Sequence, residues 1–180
     1  MKTIQFLFCL SITSLLFAQQ PYYNNVNLTL TGEALYNELQ DKIDINNTTF
    51  TYGDVRDTLL ETDEDPENSQ NVLLVYGYSN ASCIPQRTRN KQEFGGNSCE
   101  YNREHVFARS NADPEMGNTS NINTGITADP HNLRSSDVQM NGNRGNKKFA
   151  SGSGTAGTVN GNWYPGDEWK GDVARMMMYM

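Results

Sequence analysis

The side chains best suited to catalysis or metal binding are concentrated in the middle of this chain. His105 and His131 are its two histidines, and each lies in a short polar stretch. The first stretch, residues 101–110, places Glu104 directly before His105 and contains two arginines. A third stretch, residues 141–146, is rich in asparagine and glycine. If these side chains act together, the fold must bring three separate segments to one place, which restricts how the region can fold.

Two strands and a helix are predicted to carry these stretches. Residues 101–107 have the right length for a strand, and a second short strand is expected over residues 130–134. Ser135 and Ser136 are typical helix-capping residues, so a helix is expected over residues 137–149. Its glycines lower helix propensity, and we therefore expect tertiary contacts or a bound ion to support it.

The rest of the chain predicts an α+β fold, with mixed helices and a small antiparallel sheet. Apolar residues at four-residue spacing predict a helix over residues 28–45, capped by Thr31. Residues 63–68 are expected to form a solvated acidic turn; calcium binding is the less favoured alternative, because the spacing fits no standard calcium loop. The other expected elements are a helix over 52–60, a strand over 71–78, polar loops over 79–100, 110–127 and 150–162, and a helix over 169–180 whose methionines 176–180 pack in the core.

The N-terminal residues have the organisation of a secretory signal peptide. A short basic start at Lys2 is followed by a mostly apolar run, and Ala18 precedes polar residues. We expect cleavage after Ala18, which leaves a domain of residues 19–180 with a sizeable core. The apolar run is too short to span a membrane comfortably, and no other stretch is apolar enough to cross one, so no membrane insertion is expected after the signal is removed.

Secretion bears on the cysteines, because it places the chain in an oxidising compartment. Cys83 and Cys99 lie outside the signal peptide and form a natural disulfide pair, which would add about 3 kcal/mol of stability. Two free thiols are the alternative. A bridge would brace the segment directly before Tyr101.

Charge is unevenly distributed along the chain, whose net charge is −7. Residues 20–82 contain two basic and eleven acidic groups, whereas residues 83–150 contain nine basic and seven acidic groups. An acidic protein is a poor general partner for nucleic acid. The basic groups, however, gather in the segment that holds both histidines. Local anion binding and ordinary solvated charge are both compatible with this pattern.

Glu104, His105 and Asn141 carry groups that suit metal-assisted hydrolysis. The carboxylate and amide oxygens of Glu104 and Asn141 suit Mg²⁺ or Ca²⁺, and a neutral imidazole suits a general base. Held in a ββα unit, they fit phosphodiester hydrolysis. Zinc is less favoured, because the cysteines are expected to pair and no HExxH pattern occurs. The alternatives are a secreted zinc hydrolase that also uses His131, and a non-catalytic surface binding domain in which both histidines are structural.

Several short stretches, which follow one another in the same order as in that family, resemble the bacterial endonuclease I family of secreted or periplasmic, sugar-nonspecific nucleases. That family belongs to the group with a ββα-metal, or His-Me finger, site. The matching stretches are residues 102–106 (Asn-Arg-Glu-His-Val), 129–133 (Asp-Pro-His-Asn-Leu), 141–146 (Asn-Gly-Asn-Arg-Gly-Asn), 170–175 (Lys-Gly-Asp-Val-Ala-Arg) and 178–180 (Met-Tyr-Met).

The resemblance implies a role for each matching residue. The family's general-base histidine falls on His105, and its metal ligands fall on Glu104 and Asn141. His131, with its neighbour Asn132, is expected to orient the hairpin or the site. The family's phosphate-contacting arginine has no clear counterpart, because the loop that holds it in relatives contains no arginine here. The candidates for substrate binding are Arg103, Arg109, Arg134 and Arg144.

The resemblance also implies an activity. We expect a secreted or periplasmic, monomeric, metal-dependent endonuclease that cleaves DNA and RNA with little sequence preference and leaves 5′-phosphate products. Mg²⁺ is the expected ion, with Ca²⁺ or Mn²⁺ as alternatives. Relatives continue past the last helix, so we expect this chain to be truncated at its C-terminus. Relatives can also carry several disulfides, whereas we expect at most one here.

Overall fold

The computed structural model describes residues 23–45, 49–81 and 83–180, which divide into two compact units at the boundary between residues 48 and 49. In the described residues the strands pair antiparallel in three small sheets, β1–β2–β3, β4–β5 and β6–β7. The elements are α1 (Gly32–Ile45), α2 (Tyr52–Thr62), β1 (Glu64–Asp65), β2 (Asn68–Leu73), β3 (Thr88–Asn90), β4 (Tyr101–His105), β5 (Leu133–Asp137), α3 (Val138–Arg144), β6 (Gly157–Val159), β7 (Asn162–Tyr164) and α4 (Lys170–Tyr179). The predicted α+β class is confirmed, and the predicted signal peptide lies outside the described residues.

In the N-terminal unit, α1 begins at Gly32 rather than at the predicted residue 28. The preceding residues form turns instead, because Oδ1 of Asn27 accepts hydrogen bonds from the backbone N–H (3.2 Å) and the hydroxyl (2.6 Å) of Thr29. Such local side-chain bonds compete with the helical ladder. The end of the helix agrees with the prediction.

The second unit opens with α2, which extends two residues beyond the predicted helix. A capping box starts it: the Thr51 side chain accepts from the Asp54 N–H, and the Asp54 side chain accepts from the Thr51 N–H. The acidic segment that follows is more ordered than the predicted solvated turn. It forms β1 and pairs with β2 in an antiparallel hairpin.

The predicted strand over residues 71–78 is wrong in its limits, because β2 starts at Asn68 and ends at Leu73. The chain then leaves this sheet: the Val75 N–H donates to the Ser135 carbonyl at 2.8 Å, which ties it to β5. Tyr76 follows with a φ of 72°, in the left-handed region that favours glycine. The aromatic residues of this segment therefore enter the core from a turn, and the turn lies against the β4–β5 hairpin.

The β4–β5 hairpin followed by α3 reproduces the predicted order of two strands and a helix. The register aligns Tyr101 with Asp137 and His105 with Leu133. Strand β5 lies three residues further along than expected, so the assignment of Ser135 and Ser136 as helix caps is wrong; both are buried in the strand.

Asp137 is the residue that caps α3. Its Oδ1 accepts from the backbone N–H groups of Gln139 (2.8 Å) and Met140 (2.9 Å). The helix is about half as long as the predicted 137–149: it ends at Arg144 and is followed by Gly145, whose φ is 57°. Glycine suits such a helix end because it adopts a positive φ without steric cost.

The predicted loop over residues 150–162 contains a hairpin, so that prediction is wrong for its second half. Strands β6 and β7 are joined by Asn160 and Gly161, which both have positive φ (49° and 80°). This is the turn geometry that matches the twist of paired strands, and Asn-Gly is the sequence that favours it.

The limits of α4 agree closely with the predicted helix, but only some of its methionines pack in the core. Met176 and Met177 pack against the cluster of buried residues Val75, Tyr76, Val106, Met140, Trp163, Trp169 and Val173. Met178, in contrast, is 88% exposed. None of the helices in the described part of the chain is long and apolar enough to cross a membrane.

A buried ion pair and a disulfide join the first sheet to the hairpin. Nη1 of Arg89 lies 2.7 Å from Oδ2 of Asp137, and both side chains are 1% exposed. Arg89 also donates to the carbonyls of Glu100 (2.7 Å) and Cys83 (2.9 Å). The predicted Cys83–Cys99 disulfide is present beside this pair. These contacts fix the loop before β4 and the start of α3 together.

Asp137→Ala should be strongly destabilising, because it removes the α3 cap and leaves the buried Arg89 charge with only Glu93, 3.9 Å away, as a carboxylate partner. We expect the free energy of unfolding, measured by urea denaturation, to fall by about 3–5 kcal/mol. The control is Glu168→Ala, which breaks an ion pair with Arg87 that is 40% exposed on both sides; it should cost at most about 1 kcal/mol. Equal losses in the two variants would contradict the role assigned to Asp137.

Candidate active site

The candidate site is a polar cleft beside β4 and α3, with a volume of about 370 Å³. Six of the residues predicted from the sequence line it, whereas His131, Asn132 and Arg134 do not. The six are Arg103, Glu104, His105, Arg109, Asn141 and Arg144. The fold thus brings the first and third sequence motifs to one cavity.

His105 is held in one orientation and one tautomer. Its Nε2 lies 2.9 Å from the carbonyl oxygen of Thr127. Because a carbonyl can only accept, Nε2 carries the hydrogen and Nδ1 keeps the lone pair. The Tyr52 ring stacks on the imidazole with centroids 5.6 Å apart and planes 12° from parallel. The ring is therefore fixed on two sides.

Burial lowers the pKa of His105 to about 4, and the nearby charges of Arg109 and Arg103 act in the same direction. The hydrogen bond to the Thr127 carbonyl opposes this shift, because it favours a protonated ring. The imidazole is therefore neutral at pH 7 and can accept a proton at Nδ1.

Glu104 is a buried carboxylate with two donors on the same oxygen. Oε1 accepts from the Tyr76 hydroxyl and from Nη1 of Arg144, each at 3.0 Å. Burial raises the pKa of Glu104 to about 7, whereas Arg144 and the Tyr76 hydroxyl stabilise the carboxylate and act in the opposite direction. No donor of the described residues contacts Oε2. That oxygen remains available to a ligand.

Asn141 faces the same cleft from α3. Its Nδ2 lies 2.8 Å from Oδ1 of Asn102 and 3.3 Å from the carbonyl oxygen of Arg103. Since a carbonyl only accepts, the amide nitrogen must face it, and this fixes the orientation of the amide group. The amide oxygen is then the remaining polar atom of the Asn141 side chain, and such an oxygen is a suitable ligand for a hard cation.

The cleft arginines differ in how far their guanidinium groups are already engaged. Arg103 lies over the Tyr52 ring at 3.6 Å and donates to the Tyr52 carbonyl and to Oδ1 of Asn121. Arg109 makes one hydrogen bond, from Nη1 to the Gly117 carbonyl at 3.0 Å. Of these two, Arg109 has more of its donors left for a phosphate.

Arg144 lies beneath the cleft rather than at its opening. It is 1% exposed, and besides Glu104 it donates to the carbonyls of His105 (2.8 Å) and Val106 (2.6 Å). These contacts hold the end of β4 against α3. Arg134 lies outside the cleft, with Nε 2.7 Å from Oδ1 of Asp63.

The second histidine motif, residues 129–133, contributes contacts that support the β4–β5 hairpin. Asn132 is completely buried; its Oδ1 accepts from the Phe107 N–H at 2.7 Å, and its Nδ2 donates to the Phe107 carbonyl at 3.2 Å. His131 is exposed, and its ring packs against Tyr179 with centroids 5.0 Å apart. Asn132 thus positions the chain directly after His105, while His131 contacts α4.

Three contributors to the site were not predicted from the sequence: the Tyr52 ring, the Tyr76 hydroxyl and the Thr127 carbonyl. Tyr52 and Tyr76 looked like ordinary core aromatics, and each stands well before the histidine motifs in sequence. A backbone carbonyl leaves no sequence signal at all. Only the tertiary fold could have indicated them.

Comparisons with known proteins place the chain among nucleases. The family model for Endonuclease I matches residues 31–180. The chain is 40% identical over 156 residues to the extracellular ribonuclease of Bacillus subtilis (strain 168), which covers 83% of this chain and 49% of that protein. It is also 40% identical over 155 residues to the extracellular ribonuclease of Bacillus amyloliquefaciens, covering 83% and 48% respectively. The chain therefore spans about half the length of these curated relatives. No solved structure gives a significant match.

The low pKa of His105 can be measured by NMR on the metal-free protein. In a His131→Gln variant, the remaining imidazole resonances should titrate with a midpoint of about 4. The ordinary value is 6.5, so the unfolded chain binds this proton at higher pH than the folded one. His105 should therefore lower stability as the pH falls from 6.5 towards 4. A midpoint at or above the ordinary value would contradict the buried, neutral ring.

Proposed function

Because this chain belongs to the endonuclease I family, we propose that it is a secreted, metal-dependent endonuclease that hydrolyses phosphodiester bonds of RNA and DNA. The observation that carries the proposal is the buried, neutral His105, with its Nδ1 lone pair, beside the Glu104 carboxylate in one cleft. Both relatives are named extracellular ribonucleases, which supports secretion and RNA as a substrate. Cleavage of DNA with little sequence preference, by a monomer, is the broader activity that we propose.

His105 acts as the general base. Its Nδ1 takes a proton from a water molecule, the water oxygen bonds to phosphorus, and the bond from phosphorus to the 3′ oxygen breaks. The 3′ oxygen takes up a proton, so the products carry a 3′-hydroxyl and a 5′-phosphate. A phosphate close to the ring raises its pKa through its negative charge, which makes His105 a stronger base when substrate is bound.

Glu104 and Asn141 fit a divalent cation such as Mg²⁺, with Ca²⁺ or Mn²⁺ as alternatives. Among the described residues, the donors to the Glu104 side chain both bind Oε1, and the side-chain hydrogen bonds of Asn141 both involve Nδ2. Each residue therefore keeps one oxygen for a hard ion. When bound, the ion would neutralise charge on the phosphoryl oxygens and the leaving 3′ oxygen.

Arg109 is the arginine that we propose for contact with a phosphate next to the cleaved bond. It lines the cleft, and its guanidinium group makes a single hydrogen bond to the described residues. Its other N–H groups can form charge-assisted bonds to phosphate oxygens. Arg103 remains a second candidate at the same cleft.

The zinc-hydrolase alternative has less support. A catalytic zinc ion normally has three protein ligands of the His, Cys, Asp or Glu type. Within residues 23–45, 49–81 and 83–180, no three such side chains are grouped to hold a metal ion. His131, which that alternative would use, does not line the cleft. A non-catalytic binding domain would bind nucleic acid in EDTA without turnover.

His105→Ala should reduce cleavage by about 10²–10⁴-fold, which is the usual contribution of a general base. Initial rates on RNA and on supercoiled plasmid in Mg²⁺ measure the loss, and circular dichroism checks the fold. His131→Ala is the matched control: it removes the other histidine, which does not line the cleft, and should keep near-normal rates. Equal rates for the two variants would rule out His105 as the base.

Removal of the metal ligands should change the dependence on Mg²⁺. EDTA should abolish cleavage, and Asn141→Ala should raise the Mg²⁺ concentration for half-maximal rate by about tenfold or more. The control is Asn143→Ala on the same helix, because Asn143 is exposed and does not line the cleft. Cleavage that persists in EDTA would refute the metal requirement.

A further inference from the structure

We infer that Tyr76 is a positioning residue for the metal site: with Arg144, its hydroxyl occupies Oε1 of Glu104, so that the carboxylate offers a single oxygen to the ion. This arrangement favours Mg²⁺ over Ca²⁺. The inference rests on the proposed role of Glu104 as a metal ligand and extends it to metal selectivity.

The first observation is that both donors bind one oxygen. The Tyr76 hydroxyl and Nη1 of Arg144 each lie 3.0 Å from Oε1 of Glu104, and all three side chains are buried. Two donors converging from two elements hold the plane of the carboxylate. An oxygen that accepts two such bonds is a poor additional ligand, and only Oε2 is left for coordination.

The second observation is the backbone of Tyr76. Its φ of 72° lies in a region that side-chain-bearing residues seldom adopt, and such outliers persist where the surrounding structure holds them. Here the Val75 N–H is bonded to the Ser135 carbonyl at 2.8 Å, and Nε1 of Trp169 donates to the Gly77 carbonyl at 3.1 Å. The turn is tied on both sides of Tyr76, and its hydroxyl is thereby directed to Glu104.

A carboxylate limited to one oxygen matters for the choice between two ions. Ca²⁺ takes six to eight oxygen ligands and often binds a carboxylate through both oxygens, whereas Mg²⁺ requires six ligands in a compact octahedron and keeps several waters. When Oε1 is occupied, the two-oxygen mode that suits Ca²⁺ is blocked. Without the hydroxyl, Glu104 is less constrained and that mode becomes accessible.

Tyr76→Phe tests the inference, because phenylalanine fills the same space and removes only the hydroxyl. The ring packs edge-on against Trp163, with centroids 5.6 Å apart, and phenylalanine can keep this contact. Tyr101→Phe is the matched control: Tyr101 is also buried and lies on the strand that carries Glu104, but its hydroxyl donates to the Lys91 carbonyl at 2.9 Å.

Metal binding should be measured directly, by electron paramagnetic resonance of Mn²⁺ with Mg²⁺ and Ca²⁺ as competitors. We expect Tyr76→Phe to weaken Mn²⁺ binding about tenfold, the typical effect of losing an outer partner of a ligand. Ca²⁺ should also gain as a competitor relative to Mg²⁺. Tyr101→Phe should match the wild type in affinity and in the ratio of competitors. A Tyr76→Phe chain that behaves like this control would overturn the inference.

A Glu104→Gln variant separates this inference from the proposed function. If Glu104→Gln binds Mn²⁺ as tightly as the wild type, the ligand assignment itself is wrong. If it loses binding while Tyr76→Phe does not, only the positioning role of Tyr76 fails. If Tyr76→Phe is too unstable to study, the wild-type protein can be measured by NMR instead. With ¹³Cζ-labelled tyrosine, Mg²⁺ should shift the Tyr76 resonance and leave the Tyr101 resonance unchanged. No shift at Tyr76 would also overturn the inference.

Discussion

The buried ion pair between Arg89 and Asp137 is the contact on which the rest of the site depends. Asp137 ends β5 and caps α3, so one carboxylate determines where the strand stops and where the helix that carries Asn141 begins. Arg89 reaches the same point from β3 and also bonds the carbonyls of Cys83 and Glu100. A charge buried this deeply is tolerated only while it is paired. A shift of the start of this helix would separate the ion pair, and the protein would then lose much of its stability.

Burial shifts the pKa values of two neighbouring residues of the cleft, Glu104 and His105, in opposite directions. Burial raises the pKa of Glu104 and lowers that of His105, so it favours the uncharged form of each. A cation near Glu104 and a phosphate near His105 both reverse these tendencies, because each favours the charged form of its neighbour. The protein alone therefore favours the uncharged forms of these two side chains, and the proposed metal ion and substrate would favour their charged forms.

The candidate residues that meet in the cleft could be named from the sequence because short motifs carry them, whereas their surroundings could not. Glu104, His105 and Asn141 line one cleft as expected. The position of β5 was missed because a buried serine and a capping serine look alike in sequence. The Asn160-Gly161 pair is a recognisable turn signal, but its loop-forming neighbours obscure it. The Thr127 carbonyl could not have been predicted, since its role comes from its backbone and not from its side chain.

Two hydrogen bonds between the Asn132 side chain and the Phe107 backbone close the base of the long loop that joins β4 to β5. The long loop leaves the hairpin after Phe107 and returns just before Asn132, so the two ends of the loop are joined at its base. A loop closed in this way can change in its outer part without displacing His105 at the end of β4, provided that Thr127, whose carbonyl oxygen lies 2.9 Å from Nε2 of His105, is retained. It also carries Arg109, at the edge of the cleft. Changes confined to the outer part of this loop can therefore alter the opening of the cleft while the β4–β5 hairpin stays the same.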